Sequence, residues 1–207
     1  MTFGDSNTYG SVPFDQSGAR SRYEEGTRWP TVAHERLGAG WHLVEEGLPG
    51  RTTAHACPIM GPHMDGQLGL RIALQSHGPI DVLTIMLGTN DQKTHFGLTA
   101  EAIGGGLAGL LAIAMSDEYQ MRHDGFKVLL ICPPPVIEQG TMAPQFFGAA
   151  AKSAAMPGLC RKLAENWNAT FVDAGDLISA STTDGVHFEA DSHLTLGNAI
   201  GHTVASL

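Results

Sequence analysis

The chain has 207 residues, 43% hydrophobic and 16% charged, proportions that suit one folded domain with a sizeable core and exclude a disordered chain. Its formal net charge of -9 gives no electrostatic reason to bind nucleic acid or an anionic membrane surface. Three widely spaced cysteines, Cys57, Cys132 and Cys160, exclude a disulfide framework or a thiolate metal site and read as buried thiols in a reducing cytoplasm.

In chain order, Met1 to Phe3 reads as the stub of a first strand, followed directly by Gly4-Asp5-Ser6-Asn7. No secretory segment is expected, because the chain turns polar at once. Ser11 to Trp29 follows as a long irregular segment. A helix is expected from Pro30, a residue suited to a first helical turn, to Gly38. Trp41 to Val44 reads as a weak strand, and Gly47 to His63 as a second long irregular segment. A helix over Met64 to Gln75 leads to the clearest strand, Ile80 to Leu87, whose apolar and β-branched residues suit burial on both faces. Thr99 is placed to cap an apolar helix over Ala102 to Met115, a run too short to span a membrane. Lys127 to Cys132 and Ala169 to Val172 read as further strands. A helix over Phe146 to Trp167 separates them, and a last helix starts near Asp191, read as its cap. Alternating strand and helix throughout predicts a single domain over residues 1–207. It is a three-layer α/β/α sandwich with a central parallel sheet, flavodoxin-like in plan, with reactive groups at the carboxyl ends of the strands.

Three blocks carry groups suited to acyl-transfer chemistry. Ser6 stands at a strand-to-helix turn, where a hydroxyl can attack a carbonyl beside the free amides of the helix start. Asn90, in Gly88-Thr89-Asn90-Asp91, follows the clearest strand and offers an amide donor to an oxyanion. Asp184-Gly185-Val186-His187 supplies an imidazole to take the Ser6 proton and a carboxylate to hold its tautomer. Gly50, in Gly47-Leu48-Pro49-Gly50-Arg51-Thr52, lets backbone approach a substrate closely. Taken singly, each block has a plainer reading as a helix cap, a turn residue, a solvated histidine or a Pro-Gly turn.

Together and in this order, the four blocks resemble those of the SGNH hydrolases, the GDSL-like esterase and lipase family. Asn7-Thr8-Tyr9-Gly10, Thr27-Arg28-Trp29-Pro30 and Arg51-Thr52-Thr53 are similar to its arylesterase and acyltransferase branch. The resemblance implies Ser6 as nucleophile, His187 as base, Asp184 as its orienting acid, and an oxyanion hole from the amides of Ser6 and Gly50 with the Asn90 side chain. It also implies a small-molecule ester substrate, no cofactor, and possible acyl transfer to alcohols. Asn7 stands where the eponymous motif has leucine, a position set apart from the chemistry. The long segments imply a homo-oligomer in which Ser11 to Trp29 docks on a neighbouring subunit.

Other patterns compete. Gly104-Gly105-Gly106-Leu107-Ala108-Gly109 matches a dinucleotide-binding spacing, but it lies inside a helix and is expected to serve close packing. His187, Glu189, Asp191 and His193 have the composition of a metal cluster, yet His187 and Asp191 already have other roles, and no metal is expected. The rival functions are a carbohydrate O-acetylesterase with the same machinery, or a binding module with an idle site.

Overall fold

The computed structural model describes all 207 residues. Five strands, β1 (Thr2–Gly4), β2 (Glu45–Gly47), β3 (Val82–Met86), β4 (Lys127–Cys132) and β5 (Thr170–Asp173), form one parallel sheet in the order β2-β1-β3-β4-β5. Seven helices accompany them: α1 (Ser6–Tyr9), α2 (Trp29–Leu37), α3 (Gly66–Ser76), α4 (Ala100–Ala114), α5 (Asp117–Arg122), α6 (Ala149–Asn166) and α7 (Ala190–Ala205).

The period-2 alternation of the strands decides the layers. Leu83 and Ile85, with Val128 and Leu130, enter a core of 22 buried residues shared with α3, α4 and α6. Val82 and Met86, with Leu129 and Ile131, enter a core of 12 shared with α2 and α7. The first side is therefore the thicker, and each fully buried Leu or Ile there contributes about 1.5–3 kcal/mol. The three-layer α/β/α sandwich matches the expectation. No helix is long and apolar enough to cross a membrane. All three cysteines are buried free thiols.

Chain direction across the sheet matters for the site. From β1 the chain moves outward to β2, then returns past β1 to β3. Between β1 and β3 the order reverses, and the crevice outside such a switch point is where open α/β sheets bind ligands.

Three local expectations need correction, and one helix was not expected. The weak strand forms at Glu45–Gly47 and not at Trp41 to Val44, because β1 offers partners only from Thr2, which pairs with Glu45. Trp41 instead folds back, its carbonyl 2.8 Å from Nε2 of His34, and packs on the smaller core. Helix α5 was unforeseen: its six residues carry only one buried side chain, Tyr119, too few to show a period. The last helix takes Glu189 as its N-cap, with Asp191 inside the first turn, where its charge suits the positive helix end. Helix α6 starts at Ala149, three residues later than expected, after a short turn over Ala143–Gln145. Thr99 does cap α4, accepting the Ala102 amide at 3.2 Å. Two of the four glycines of α4 do serve packing: a Cβ at Gly106 would lie 2.0 Å from Oγ1 of Thr53, and one at Gly109 2.0 Å from Nε2 of Gln67, whereas one at Gly105 would meet nothing.

Candidate active site

Ser6 owes its position to Asp5. The Asp5 carboxylate accepts the Asn7 amide at 2.9 Å and so caps α1, turning the chain sharply as it leaves β1. Ser6 is then the first helical residue, 6% exposed, with its hydroxyl outside the carboxyl end of the sheet. Its amide has no protein acceptor, as expected for the first turn of a helix. Asp5 itself is fully buried, and burial pushes its carboxyl up to about 6 despite the Asn7 amide and the nearby His187 and Lys93.

The loop carrying His187 reaches Ser6 from the far end of the sequence. Oδ1 of Asp184 accepts the amides of Val186 and His187, both at 2.9 Å, folding the four residues into a tight turn. Gly185 makes this possible with φ at +86°, and a Cβ there would lie 2.1 Å from the Ile137 carbonyl oxygen. Oδ2 of Asp184 lies 2.6 Å from Nδ1 of His187, and Nε2 lies 3.0 Å from Oγ of Ser6. A carboxylate can only accept, so the imidazole proton sits on Nδ1 and leaves Nε2 free to accept from the serine hydroxyl. Burial raises the Asp184 carboxyl, but the hydrogen bond and charge of His187 and the two amides outweigh it, and its pKa lies below the usual value.

Gly50 and Asn90 complete the surroundings. The Gly50 amide has no protein acceptor, and φ at +92° sets its direction. A Cβ at this position would strike Sδ of Met60 at 2.6 Å, so the glycine makes room for a methionine wall. Asn90 follows β3 in a short 3₁₀ turn, Asn90–Gln92, and its Nδ2 donates to the Arg51 carbonyl at 3.1 Å and to Oδ2 of Asp5 at 3.3 Å. These groups border a cavity of about 560 Å³ that includes Ser6, Gly50, Asn90 and His187, with Val12, Phe14, Met60 and Met142 as apolar wall. A larger cavity of about 830 Å³ touches the Met1 and Ile80 ends of β1 and β3, away from Ser6, and its one serine, Ser76, donates its hydroxyl to the Ile72 carbonyl at 2.7 Å. It carries no comparable chemistry.

Several contacts were not foreseen. Asn7 is not apart from the chemistry: its Nδ2 donates to the Val186 carbonyl at 3.1 Å, tethering the turn that holds His187. The Phe14 amide donates to Oδ2 of Asp184 at 3.1 Å, and the Phe14 ring lies 5.5 Å from the His187 ring. The start of the Ser11 to Trp29 segment therefore docks on its own subunit's candidate site. Asp91 accepts the Thr53 amide at 3.0 Å and the Thr53 hydroxyl at 2.6 Å, which joins the two loops bearing Asn90 and Gly50. Arg51 donates to the Gly4 carbonyl at 3.0 Å and stacks 4.1 Å over Phe3; burial lowers its pKa to about 10, so it stays charged. A polar residue next to a recognised block was the available signal for Asn7, Arg51 and Asp91. Phe14 had none, since its amide is what acts.

The residues composing a metal-like cluster point to different partners. The Glu189 carboxylate accepts the Ser181 hydroxyl at 2.5 Å. Nδ1 of His193 accepts the Trp29 amide at 3.3 Å, and burial drops the His193 pKa to about 3, leaving a neutral ring between Tyr23 and Phe188.

A serine, an imidazole and a carboxylate thus stand in hydrogen-bonded sequence at the switch point of a parallel α/β sheet. Residues 2–196 match the GDSL-like lipase/acylhydrolase family, and the chain belongs to it. This is an enzyme class that cleaves carboxylic esters. Among solved structures, the chain is similar to Est24, a carbohydrate acetylesterase from Sinorhizobium meliloti. The two are 36% identical with a TM-score of 0.93, covering 99% of this chain and 97% of that one. It is also similar to the aryl esterase of M. smegmatis, at 33% identity and a TM-score of 0.92, covering 100% and 97%. No curated protein sequence matches the chain.

Proposed function

We propose that the protein is a serine esterase that hydrolyses short-chain acyl or aryl esters through an acyl-enzyme on Ser6. The observation that carries this reading is the unbroken contact chain from Ser6 through His187 to Asp184, beside two amides without protein acceptors.

Oγ of Ser6 attacks the ester carbonyl while Nε2 of His187 takes its proton. The carbonyl oxygen becomes an oxyanion, held by the amides of Ser6 and Gly50 and by Nδ2 of Asn90. On collapse, His187 returns the proton to the departing alkoxide, so an alcohol leaves and an ester bond joins the acyl group to Ser6. Water then attacks with His187 as base, and the carboxylic acid departs as Ser6 regains its proton. Asp184 stays ionised and stabilises the imidazolium that forms in each half. An alcohol taking the place of water would give acyl transfer, and the apolar wall of Val12, Phe14, Met60 and Met142 favours that competition by limiting water.

Asn90 has a cost to meet in this scheme. Its Nδ2 protons already face Arg51 and Asp5, and the 3.3 Å contact to Asp5 is the weaker of the two. That contact is the one to be exchanged for the oxyanion. Asn90→Ala is expected to lower kcat by about 10²–10³, the usual effect of removing one such donor. A rise in KM at constant kcat would instead assign Asn90 to substrate positioning.

The 36% identity to a carbohydrate acetylesterase favours a second reading, O-acetylated sugars as substrates with the same machinery. A binding module with an idle site has no support in a complete set of contacts. We also propose a homo-oligomer, on the exposed apolar side chains Ile59 and Met60 at the cavity and on the exposed Phe147. The test uses para-nitrophenyl acetate and octanoate. Expected are faster turnover of the acetate, one acetyl group trapped on the Ser6 peptide after acid quench, and a light-scattering mass above the 21.9 kDa of one chain. Absence of the acetylated peptide under a rapid quench would overturn the acyl-enzyme, and a monomeric mass at micromolar concentration the oligomer.

A further inference from the structure

The cavity at Ser6 has a charge pattern opposite to that of the whole molecule. The chain carries a net charge of -9, yet the cavity lining includes Arg20, Arg22 and Lys93 and no Asp or Glu side chain. Arg22 is already satisfied by Glu45 at 3.1 Å and by the Tyr9 carbonyl at 2.7 Å. Arg20 lies exposed at the rim, its guanidinium 5.3 Å from the Phe14 ring. Lys93 is different in kind. It is 7% exposed, and its ammonium makes no ion pair or hydrogen bond with the protein; it lies 5.8 Å from the Phe146 ring centroid and faces the Cys57 thiol. The carboxylates around it are engaged elsewhere, Asp5 with Asn7 and Asn90, Asp91 with Thr53.

A buried ammonium without a partner is costly, because burial disfavours its charge. Burial indeed lowers the Lys93 pKa and outweighs the opposing pull of Cys57, Asp5 and Asp91, while Arg20 adds to the lowering. The nitrogen is not sealed off, however, since it is absent from the fully enclosed polar atoms that lack partners. Its opening is the cavity that it lines. Lys93 also directly follows the Asn90–Gln92 turn, so its backbone is within one turn of the proposed oxyanion donor.

We propose that Lys93 is a specificity-determining residue that binds an anionic group of the substrate, so that the preferred esters are small and carry a carboxylate a few bonds from the scissile carbonyl. The proposal rests on the esterase reading of the same site. It commits to the anion and not to the side of the ester that bears it. A carboxylate on the acyl part would make the substrate a monoester of a short dicarboxylic acid, and one on the alcohol part an acylated hydroxy acid. Cationic esters are disfavoured by the same field.

Two pairs of esters, each differing only in charge, separate these cases. O-acetyl-lactate against O-acetyl-lactamide places the anion on the alcohol; monomethyl succinate against methyl succinamate places it on the acyl group. Expected is a preference of about tenfold or more in kcat/KM for the anionic member of one pair, carried by KM, as a charge-assisted contact implies. Lys93→Met should abolish that preference while changing amide-ester turnover far less, and Lys93→Arg should keep most of it. Added salt should weaken it in the wild type, a check that needs no variant to fold. No preference in either pair while the amides turn over, or a preference that survives Lys93→Met, would overturn the proposal and leave the esterase reading intact. If no ester is cleaved, the esterase reading fails, and calorimetric titration of Ser6→Ala with the same four esters still decides. Charge-selective binding that vanishes on adding Lys93→Met supports the anion site, and its absence overturns it.

Discussion

Replacing Ser6 by alanine is expected to lower kcat for para-nitrophenyl acetate by on the order of 10⁶, with the fold unchanged, because the nucleophile and its base act as one unit. The structure gives a reason why the fold should survive. Ser6 sits at the first residue of α1, but the cap of that helix is Asp5, and the Ser6 hydroxyl contacts only His187. His187→Ala should cost a similar factor, and the two losses should not add in the double variant. Circular dichroism and the denaturant midpoint check the fold, and stopped-flow release of nitrophenol checks the rate. Purified Ser6→Ala that retains substantial turnover would remove Ser6 from the mechanism.

Asp184→Asn is expected to lower kcat by about 10⁴, since an amide can present N–H to Nδ1 and favour the wrong imidazole tautomer. Here the side chain has further duties. Asp184 accepts from His187 Nδ1, from the amides of Val186 and His187, and from the amide of Phe14. Asparagine keeps one accepting oxygen, so the turn can persist while the Phe14 amide or the imidazole loses its partner. The same substitution has a signature in stability. The hydrogen bond and charge of His187, with the two backbone amides, hold the folded pKa of Asp184 below the ordinary carboxylate value, so the folded state favours the ionised form. Its contribution to stability is fully present above that ordinary value and is lost as pH falls through the folded value. Denaturant midpoints should therefore fall less steeply below pH 4 in Asp184→Asn than in the wild type. An equal slope in both would show that this carboxylate is not linked to folding in the expected way.

Much of the fold was legible because burial on both faces leaves a plain trace. Val82–Met86 and Lys127–Cys132 are continuous apolar runs, and both form where they were read, within two residues. The helices with a stop or cap in the sequence, Gly38 after α2 and Thr99 before α4, were also legible. What failed had weak local signal. β2 is two glutamates and a glycine, half-buried, and it is a strand only because β1 lies beside it with a matching register. α5 is six residues of mostly exposed polar chain.

The candidate site divides along the same line. Ser6 and Asn90 were recognisable by chemical type at the ends of expected strands, and the carboxyl ends of parallel strands all open on one side of the sheet; Asp184 and His187 lie in a loop and were joined to them by the family resemblance. That direction is a property of the alternating pattern, so the sequence alone placed Ser6 and Asn90 on that edge, but not the loop of Asp184 and His187. It did not set distance. Ser6 and His187 are 181 residues apart in the chain, and a 3.0 Å contact between them depends on Asn7 holding the Val186 carbonyl and on Gly185 accepting a positive φ against Ile137. The Phe14 amide on Asp184 and the isolation of Lys93 likewise exist only once the loops are packed. Composition and period record what each residue prefers near its neighbours in sequence. Hydrogen bonds across the chain, and the absence of a partner for a buried charge, are decided by the tertiary structure that brings distant segments together.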